Sequence, residues 1–241
     1  MSFADIFQRM RHGLELIAAW PLRWFGIALL LLLIVEPLVL LPVAGFTLKV
    51  VLTALFAAAL MPVFAGADRG EPPRLAALFG FYRTPLSGLL ALIVAAVIPF
   101  AAALALLAWQ VGPDSVDFFF GSALSMDPPS QTVFQRFKIS LYLFSMPFVF
   151  VPVAVTLKGL GGWAALRESV RAAAVHWRVP VLFFLFSFAY ELLMARLPEF
   201  FPLVGVIVVA VLLVPFFVIA MLAFTYELGK VALNVAVEPE A

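Results

Sequence analysis

The chain has 241 residues, of which 65% are hydrophobic and 12% charged, and its formal net charge is +1. Soluble domains carry roughly 25% charged residues, so this composition excludes a water-soluble fold and predicts a single membrane domain over residues 1–241. Cysteine is absent, which excludes disulfides, thiolate metal sites and thiol nucleophiles.

The first twenty residues predict an amphipathic helix over residues 3–20. Ser2 and Asp5 are typical of a helix-capping pair, and polar and basic residues fall opposite an apolar stripe with helical spacing. The stripe comprises Phe3, Ile6, Phe7, Met10, Leu14 and Ile17. Two alternatives explain this pattern: the helix lies on the membrane surface, or it packs against other protein.

Residues 22–41 and 46–65 predict a membrane hairpin that turns at Pro42-Val43-Ala44-Gly45. Each run has about 20 residues, which at about 1.5 Å rise per residue matches the ~30 Å hydrocarbon core of a bilayer. We therefore expect both runs to cross the membrane.

Further apolar runs complete an all-α, polytopic fold with six transmembrane helices. They cover residues 86–109, 139–157, 180–197 and 203–226. Prolines in spans three and four predict kinks, because neighbouring helices can satisfy the freed carbonyls. Amphipathic elements precede span three, near Leu75 to Tyr82, and span five, from Trp163 to Trp177. The segment from Glu227 onward predicts a short, frayed tail.

The distribution of lysine and arginine predicts the orientation. Six spans place eleven of the fifteen basic residues on the side of the termini: Arg9, Arg11, Arg23, Arg69, Arg74, Arg83, Lys158, Arg167, Arg171, Arg178 and Lys230. The opposite side receives Lys49, Arg136, Lys138 and Arg196. By the positive-inside rule, both termini are expected in the cytoplasm.

Basic amphipathic helices that end in tryptophan predict a membrane-surface collar, whose cations attract anionic headgroups. We define the collar as Arg9, Arg11, Trp20, Trp163, Arg167, Arg171, Trp177 and Arg178. The first and last hairpins also resemble each other, since each follows a basic helix, carries a buried glutamate (Glu36 and Glu191 respectively) and turns at a proline. Pro42-Val43-Ala44-Gly45 corresponds to Pro202-Leu203-Val204-Gly205. This similarity predicts a weak parallel repeat, although proline and glycine are common at any such turn.

Ionisable residues inside the spans are the candidate site residues. Glu36 lies six residues before Pro42 and Lys49 lies seven residues after it, so both are expected roughly 10 Å below the hairpin turn. At matching depth they predict an ion pair that clamps the hairpin. The alternative is a functional proton or headgroup site.

A second set of buried charges lies in the fifth span. Glu191 is expected to be deep and to have no partner in its own hairpin, but it is within possible reach of Lys138 or Arg136 from the fourth span. Arg196 is closer to the end of the span, where its long side chain can extend to the membrane surface.

Motifs for catalysis or cofactor binding were not found. His12 and His176 have no metal-ligand spacing and are expected on the polar faces of their helices. Gly159, Gly161 and Gly162 are not followed by the GK[ST] of a phosphate loop, and no serine stands in a nucleophile elbow. The sequence therefore predicts no catalytic residue, metal or cofactor, and a protein that is not an enzyme.

Several short motifs occur in a characteristic order. They are Trp20-Pro21-Leu22-Arg23, Pro42-Val43-Ala44-Gly45, Asp68-Arg69-Gly70-Glu71, Leu78-Phe79, Ala165-Leu166, Ser169, Arg171-Ala172 and Trp177. This layout resembles a family of uncharacterised bacterial six-helix inner-membrane proteins, related to the membrane domain of glycerophosphodiester phosphodiesterases. His176 stands where that family often has asparagine. The resemblance implies a multi-pass protein of the bacterial cytoplasmic membrane with a role in membrane or lipid homeostasis.

The expected function is non-enzymatic: the protein interacts with lipid, or is an accessory or structural subunit of a membrane complex. The alternative is a small transporter or channel with a site among the proline-containing spans. An intramembrane enzyme ranks third, because the spans lack clusters of His, Asp and Glu. The expected partners are the phospholipid bilayer and either another protein or a second copy of this chain, but not nucleic acid.

Overall fold

The computed structural model describes residues 1–41, 44–121, 130–200 and 203–235. For residues 198–200, 203–208 and 210 it describes the backbone alone. Every regular element in these ranges is helical. The α-helices are α1 Phe3–Ala19, α2 Pro21–Val35, α3 Gly45–Asp68, α4 Leu86–Val111, α5 Asp117–Phe120, α6 Gln131–Ser145, α7 Val151–Thr156, α8 Gly162–Val175, α9 Arg178–Phe200 and α10 Leu203–Ala232. The 3-10 helices are Glu36–Leu40, Leu75–Arg83, Pro113–Val116 and Met146–Phe148.

Six segments of the described chain are long and apolar enough to cross a membrane. They are Pro21–Leu40, Gly45–Asp68, Leu86–Val111, Gln131–Thr156, Arg178–Leu197 and Val211–Ala232. The prediction of an all-helical, multi-pass membrane protein is therefore confirmed. The predicted hairpin repeat depends on Pro42, Val43 and Pro202, which lie outside the described residues.

Two spans change helix type at a proline. The first passes from α2 into the 3-10 helix Glu36–Leu40 one residue before Pro37, because proline has no N–H and its ring clashes with the preceding turn. The fourth breaks between α6 and α7, near Pro147. Ser169 of α8 bridges this break: its hydroxyl accepts from the Phe150 N–H at 3.2 Å and donates to the Pro147 carbonyl at 2.9 Å.

The short helix α7 lies at the centre of the bundle, against α3, α4, α8 and α10. Close approach requires glycine on two neighbours. A Cβ added to Gly88 of α4 would lie 2.7 Å from Val155, and one added to Gly229 of α10 would lie 2.7 Å from Val153. Both valines are buried, so α7 packs closely against α4 and α10 in the core.

The chain from residue 227 to 235 is not a frayed tail, and that prediction is wrong. Helix α10 continues to Ala232, and Glu227, Leu228 and Lys230 are buried. The physical reason is that this last turn packs its apolar side against the core and pairs its charged side with other helices. Residues 236–241 lie outside the described ranges.

Helix α1 packs along α10. Ile6 and Met10 are buried in this contact, whereas Phe3, Phe7 and Leu14 are each about half exposed. Gly13 faces Ala223, where an added Cβ would be 3.4 Å from the α10 backbone. The apolar stripe expected for α1 is therefore divided, with one part on protein and the other facing outward.

Candidate functional site

The structure brings Glu36 and Lys49 together. Lys49 Nζ donates to Glu36 Oε2 at 2.6 Å, and these side chains are 30% and 53% exposed respectively. The pair joins the 3-10 helix at the end of the first span to the first turn of α3. Such a contact fits a clamp on the hairpin, and the exposed Glu36 carboxylate also leaves room for a headgroup.

Glu191 lies against the fourth span. Lys138 Nζ donates to Glu191 Oε2 at 2.6 Å, and the Tyr142 hydroxyl donates to Glu191 Oε1 at 3.0 Å. All three groups lie within membrane-spanning segments, so the lysine neutralises the carboxylate where water is scarce. Of the two cations considered for Glu191, the structure places Lys138 in contact. Arg196 lies in α9, near the end of the fifth span.

The collar residues differ in exposure and in their contacts. Trp163 and Trp177 are exposed by 76% and 57%, and Trp20 ends α1. Three collar arginines contact other side chains of the protein. Arg11 pairs with Glu15 at 3.0 Å, Arg171 with Glu168 at 3.5 Å, and Arg178 lies over the Phe3 ring. Arg167 neighbours Glu168, and Arg9 turns towards α10.

Glu168 is the acidic centre of the α8 part of the collar. Lys158 donates to it at 3.0 Å, and this hydrogen bond, with the charges of Lys158 and Arg171, holds the pKa of Glu168 below its usual value. The carboxylate therefore stays ionised at neutral pH. These basic residues already have a partner, so they are less available to a lipid phosphate.

A groove lined by two arginines lies next to the ends of spans two and three. This cavity of about 570 Å³ is lined by small residues of α3, by the 3-10 helix Leu75–Arg83 and by the end of α7. We call it the arginine groove and define it by Ala59, Pro62, Gly66, Arg74, Arg83 and Val155. In the described chain, neither Arg74 nor Arg83 has a carboxylate within 4.0 Å.

The remaining charge in the arginine groove is Glu71, whose carboxylate is 3.3 Å from Arg69. Two arginines therefore line this cavity beside a neutralised acid, and Arg83 Nε also donates to the Tyr82 hydroxyl at 3.1 Å. Guanidinium groups match the geometry of phosphate oxygens, and the α3 residues supply an apolar wall. A molecule with an anionic head and an apolar tail fits this combination.

A second cavity, of about 410 Å³, lies within the spans. It is lined mainly by apolar side chains, with Pro152 and Pro180 at its wall and polar groups from Thr53, Ser145 and Ser187. Tyr142 also lines it and reaches Glu191. This cavity therefore lies among the proline-containing spans. Tyr142 connects it to the Lys138–Glu191 pair.

The densest charge cluster was not predicted from the sequence. It consists of His12 of α1, Asp68 of α3, and Glu227 with Lys230 of α10. Lys230 Nζ lies 2.7 Å from Asp68 Oδ2 and 2.9 Å from Glu227 Oε1, and the Tyr226 hydroxyl donates to Asp68 at 3.1 Å. Asp68 and Glu227 come just after the predicted spans 46–65 and 203–226, so a search for ionisable groups inside the spans did not include them.

The same cluster has the spacing of a metal site, since ligand atoms of His12, Asp68 and Glu227 lie within 4.8 Å of one another. Its cation is nevertheless the protein's own, because the Lys230 ammonium already contacts both carboxylates. We therefore describe it as an ion-pair network and not as a metal centre.

No protein-family model matches this chain, and comparison with curated proteins and with solved structures gives no match either. Its function is therefore inferred from the geometry of these sites.

Proposed function

We propose that this chain is a non-enzymatic, multi-pass membrane protein that binds an anionic phospholipid in the arginine groove. The observation that carries the proposal is that Arg74 and Arg83 line the same cavity as an apolar wall from α3. Neither arginine has a carboxylate partner in the described structure. The groove lies where two spans end, and we place the phosphate groups of the leaflet at this level. Acyl chains extend from there along α3.

The lipid proposal is tested by the double substitution Arg74→Gln and Arg83→Gln. Hydrogen bonds to charged groups contribute about 1.5–3 kcal/mol each, so we expect the variant to retain at least about tenfold less phosphatidylglycerol. Native mass spectrometry of the protein from nanodiscs with phosphatidylglycerol and phosphatidylcholine measures this retention. Arg136→Gln is the control, because this exposed arginine lies outside both the groove and the collar.

Equal retention by the groove variant and the control would contradict the proposal. Loss of a co-purifying protein from the groove variant, with lipid retention unchanged, would instead favour the accessory-subunit function. The resemblance to bacterial inner-membrane proteins supports a place in the bacterial cytoplasmic membrane, with the collar on the inner leaflet.

The proposed orientation places both termini in the cytoplasm, as the excess of basic residues on that side supports. Single cysteines at Arg11 and Asp114 test it, since both residues are exposed and the chain has no native thiol. We expect an impermeant maleimide to label Asp114→Cys in intact spheroplasts and Arg11→Cys only after lysis. Labelling of Arg11→Cys before lysis would reverse the orientation.

The second candidate function is a small transporter or channel, and the cavity beside Pro152 and Pro180 favours it. Proteoliposomes should then show a proton or potassium flux above that of protein-free vesicles, and Thr53→Phe should reduce it by filling the cavity. Lys158→Met, on the surface at the α8 side, serves as the control. A flux equal to that of empty vesicles would exclude this candidate for both ions.

A further inference from the structure

A third cavity, of about 410 Å³, adjoins the arginine groove at the start of the first span. Its polar lining is Arg23, in the first turn of α2, and Arg74, just before the 3-10 helix Leu75–Arg83. Its apolar lining includes Leu22 and Leu75. We call it the Arg23 cavity. Because Arg74 lines both spaces, the two cavities are neighbours at the same end of the bundle and share one cation.

The 3-10 helix sets the spacing of the two arginines in the groove. Since such a helix has about three residues per turn, Ala77, Gly80 and Arg83 fall on one face, and Arg74 precedes them at the same interval. All four line the groove. At about 2.0 Å rise per residue, the two arginines are about 18 Å apart along the helix. An added Cβ on Gly80 would meet no described atom within 4 Å, so the groove is open between two well-separated cations.

Each end of this interval has its own guanidinium group. Arg23 and Arg74 line one end. At the other end, the hydrogen bond of Arg83 to the Tyr82 hydroxyl uses Nε and not the two terminal nitrogens. The three arginines are exposed, and among the described residues no carboxylate lies within 4.0 Å of Arg23 either. Because a guanidinium group can bind phosphate oxygens in pairs, the two ends provide two separate phosphate positions.

Apolar surface lies next to each phosphate position. In the groove it comes from α3, through Ala59, Pro62 and Val63. At the Arg23 cavity it comes from Leu22 and Leu75, whose side chains are 85% and 52% exposed. Large exposed apolar side chains rimmed by polar ones are typical of membrane contact sites. Two cationic positions with separate apolar surfaces match a lipid that has two phosphates and two pairs of acyl chains.

We propose that the arginine groove and the Arg23 cavity together bind one molecule of cardiolipin, in which a glycerol joins two phosphatidyl groups. The inference rests on the proposed function and specifies its ligand. One phosphate lies between Arg23 and Arg74, the other lies at Arg83, and the linking glycerol passes over Gly80. Basic pockets beside transmembrane helices bind cardiolipin headgroups in this way. One lipid with both phosphates binds more tightly than two separate lipids, because its second contact is intramolecular.

The test uses the full chain in nanodiscs that contain cardiolipin and phosphatidylglycerol at equal phosphate content. Native mass spectrometry distinguishes one bound cardiolipin from two bound phosphatidylglycerols by mass. Loss of one charge-assisted hydrogen bond corresponds to about a tenfold change in binding. We therefore expect Arg23→Gln to lower the ratio of retained cardiolipin to retained phosphatidylglycerol about tenfold. Arg136→Gln, at an exposed residue outside both cavities, should leave the ratio unchanged.

Gly80→Leu tests the linking position without a change of charge. The space beside Gly80 accepts a side chain, so the variant should fold, but leucine would fill the interval between Arg74 and Arg83. The ratio should fall in this variant as well, because a phosphate at either end remains possible while the bridge does not. Ala76→Leu, at an exposed position of the same 3-10 helix outside both cavities, is the matched control and should keep the ratio.

An unchanged ratio in either Arg23→Gln or Gly80→Leu would overturn the inference, as would two bound phosphatidylglycerols in preference to one cardiolipin. The proposed function would still stand in those cases if the double variant Arg74→Gln and Arg83→Gln lost phosphatidylglycerol. Full retention of both lipids by that double variant would contradict the proposed function and this inference with it. The two failures are therefore distinguishable.

Discussion

Replacing Lys230 with methionine is expected to reduce the free energy of unfolding by about 3–5 kcal/mol, the range for a broken buried ion pair. The Lys230 side chain is 9% exposed and contacts two carboxylates, Asp68 and the fully buried Glu227. Methionine keeps the apolar stem but removes the charge, so both acids lose their shared cation. A fall in the thermal midpoint in nanodiscs measures this loss.

A matched control for Lys230→Met is Arg11→Met, which breaks the exposed pair with Glu15. Exposed pairs contribute about 1 kcal/mol or less, so this variant should melt close to the unaltered protein. Adding Glu227→Gln to Lys230→Met removes one stranded acid and should restore part of the stability. Equal midpoints for Lys230→Met and Arg11→Met would show that the cluster does not stabilise the fold.

The second large effect is expected at the Lys138 and Glu191 pair. Lys138→Met should cost about 3 kcal/mol, at the lower end for a broken buried pair, because both side chains are less than a third exposed. Tyr142→Phe removes one hydrogen bond to the same carboxylate and should cost less, about 1.5 kcal/mol. Thermal unfolding of the two variants measures the difference.

Exchange of the charges, Lys138→Glu with Glu191→Lys, is the control for contact. If the two groups stabilise each other, the exchanged protein should regain part of the stability lost in either single variant. Additive losses would contradict a direct interaction. The same exchange at Glu36 and Lys49 distinguishes a structural clamp from a headgroup site, since only a clamp is restored by reversal.

The spans could be predicted because hydropathy and length are local properties. Twenty apolar residues identify a crossing without knowledge of its neighbours, and the matched depth of Glu36 and Lys49 follows from helix rise alone. The break in the fourth span was harder to predict from the sequence. Pro147 signals a kink, but the partner that bridges it is Ser169, on another helix.

The His12 cluster could not be predicted for the same reason. Asp68 comes after the predicted second span, and Glu227 and Lys230 come after the predicted sixth span. In the structure Asp68 ends α3, and the other two belong to α10. Their pairing depends on α1 packing against α10, which no local pattern specifies. The arginine groove likewise requires the 3-10 helix Leu75–Arg83 to lie against α3, so its arginines were counted in the orientation but not recognised as a site.

The packing of α1 on α10 has a consequence for biosynthesis. Helix α1 is translated before α10, yet its main contact is with α10. Val153 of α7 likewise meets its glycine partner, Gly229, on α10. Contacts so distant in sequence form late. A nascent chain that lacks α10 therefore exposes both the apolar side of α1 and one side of α7, and it depends on the insertion machinery or on chaperones until α10 has been made.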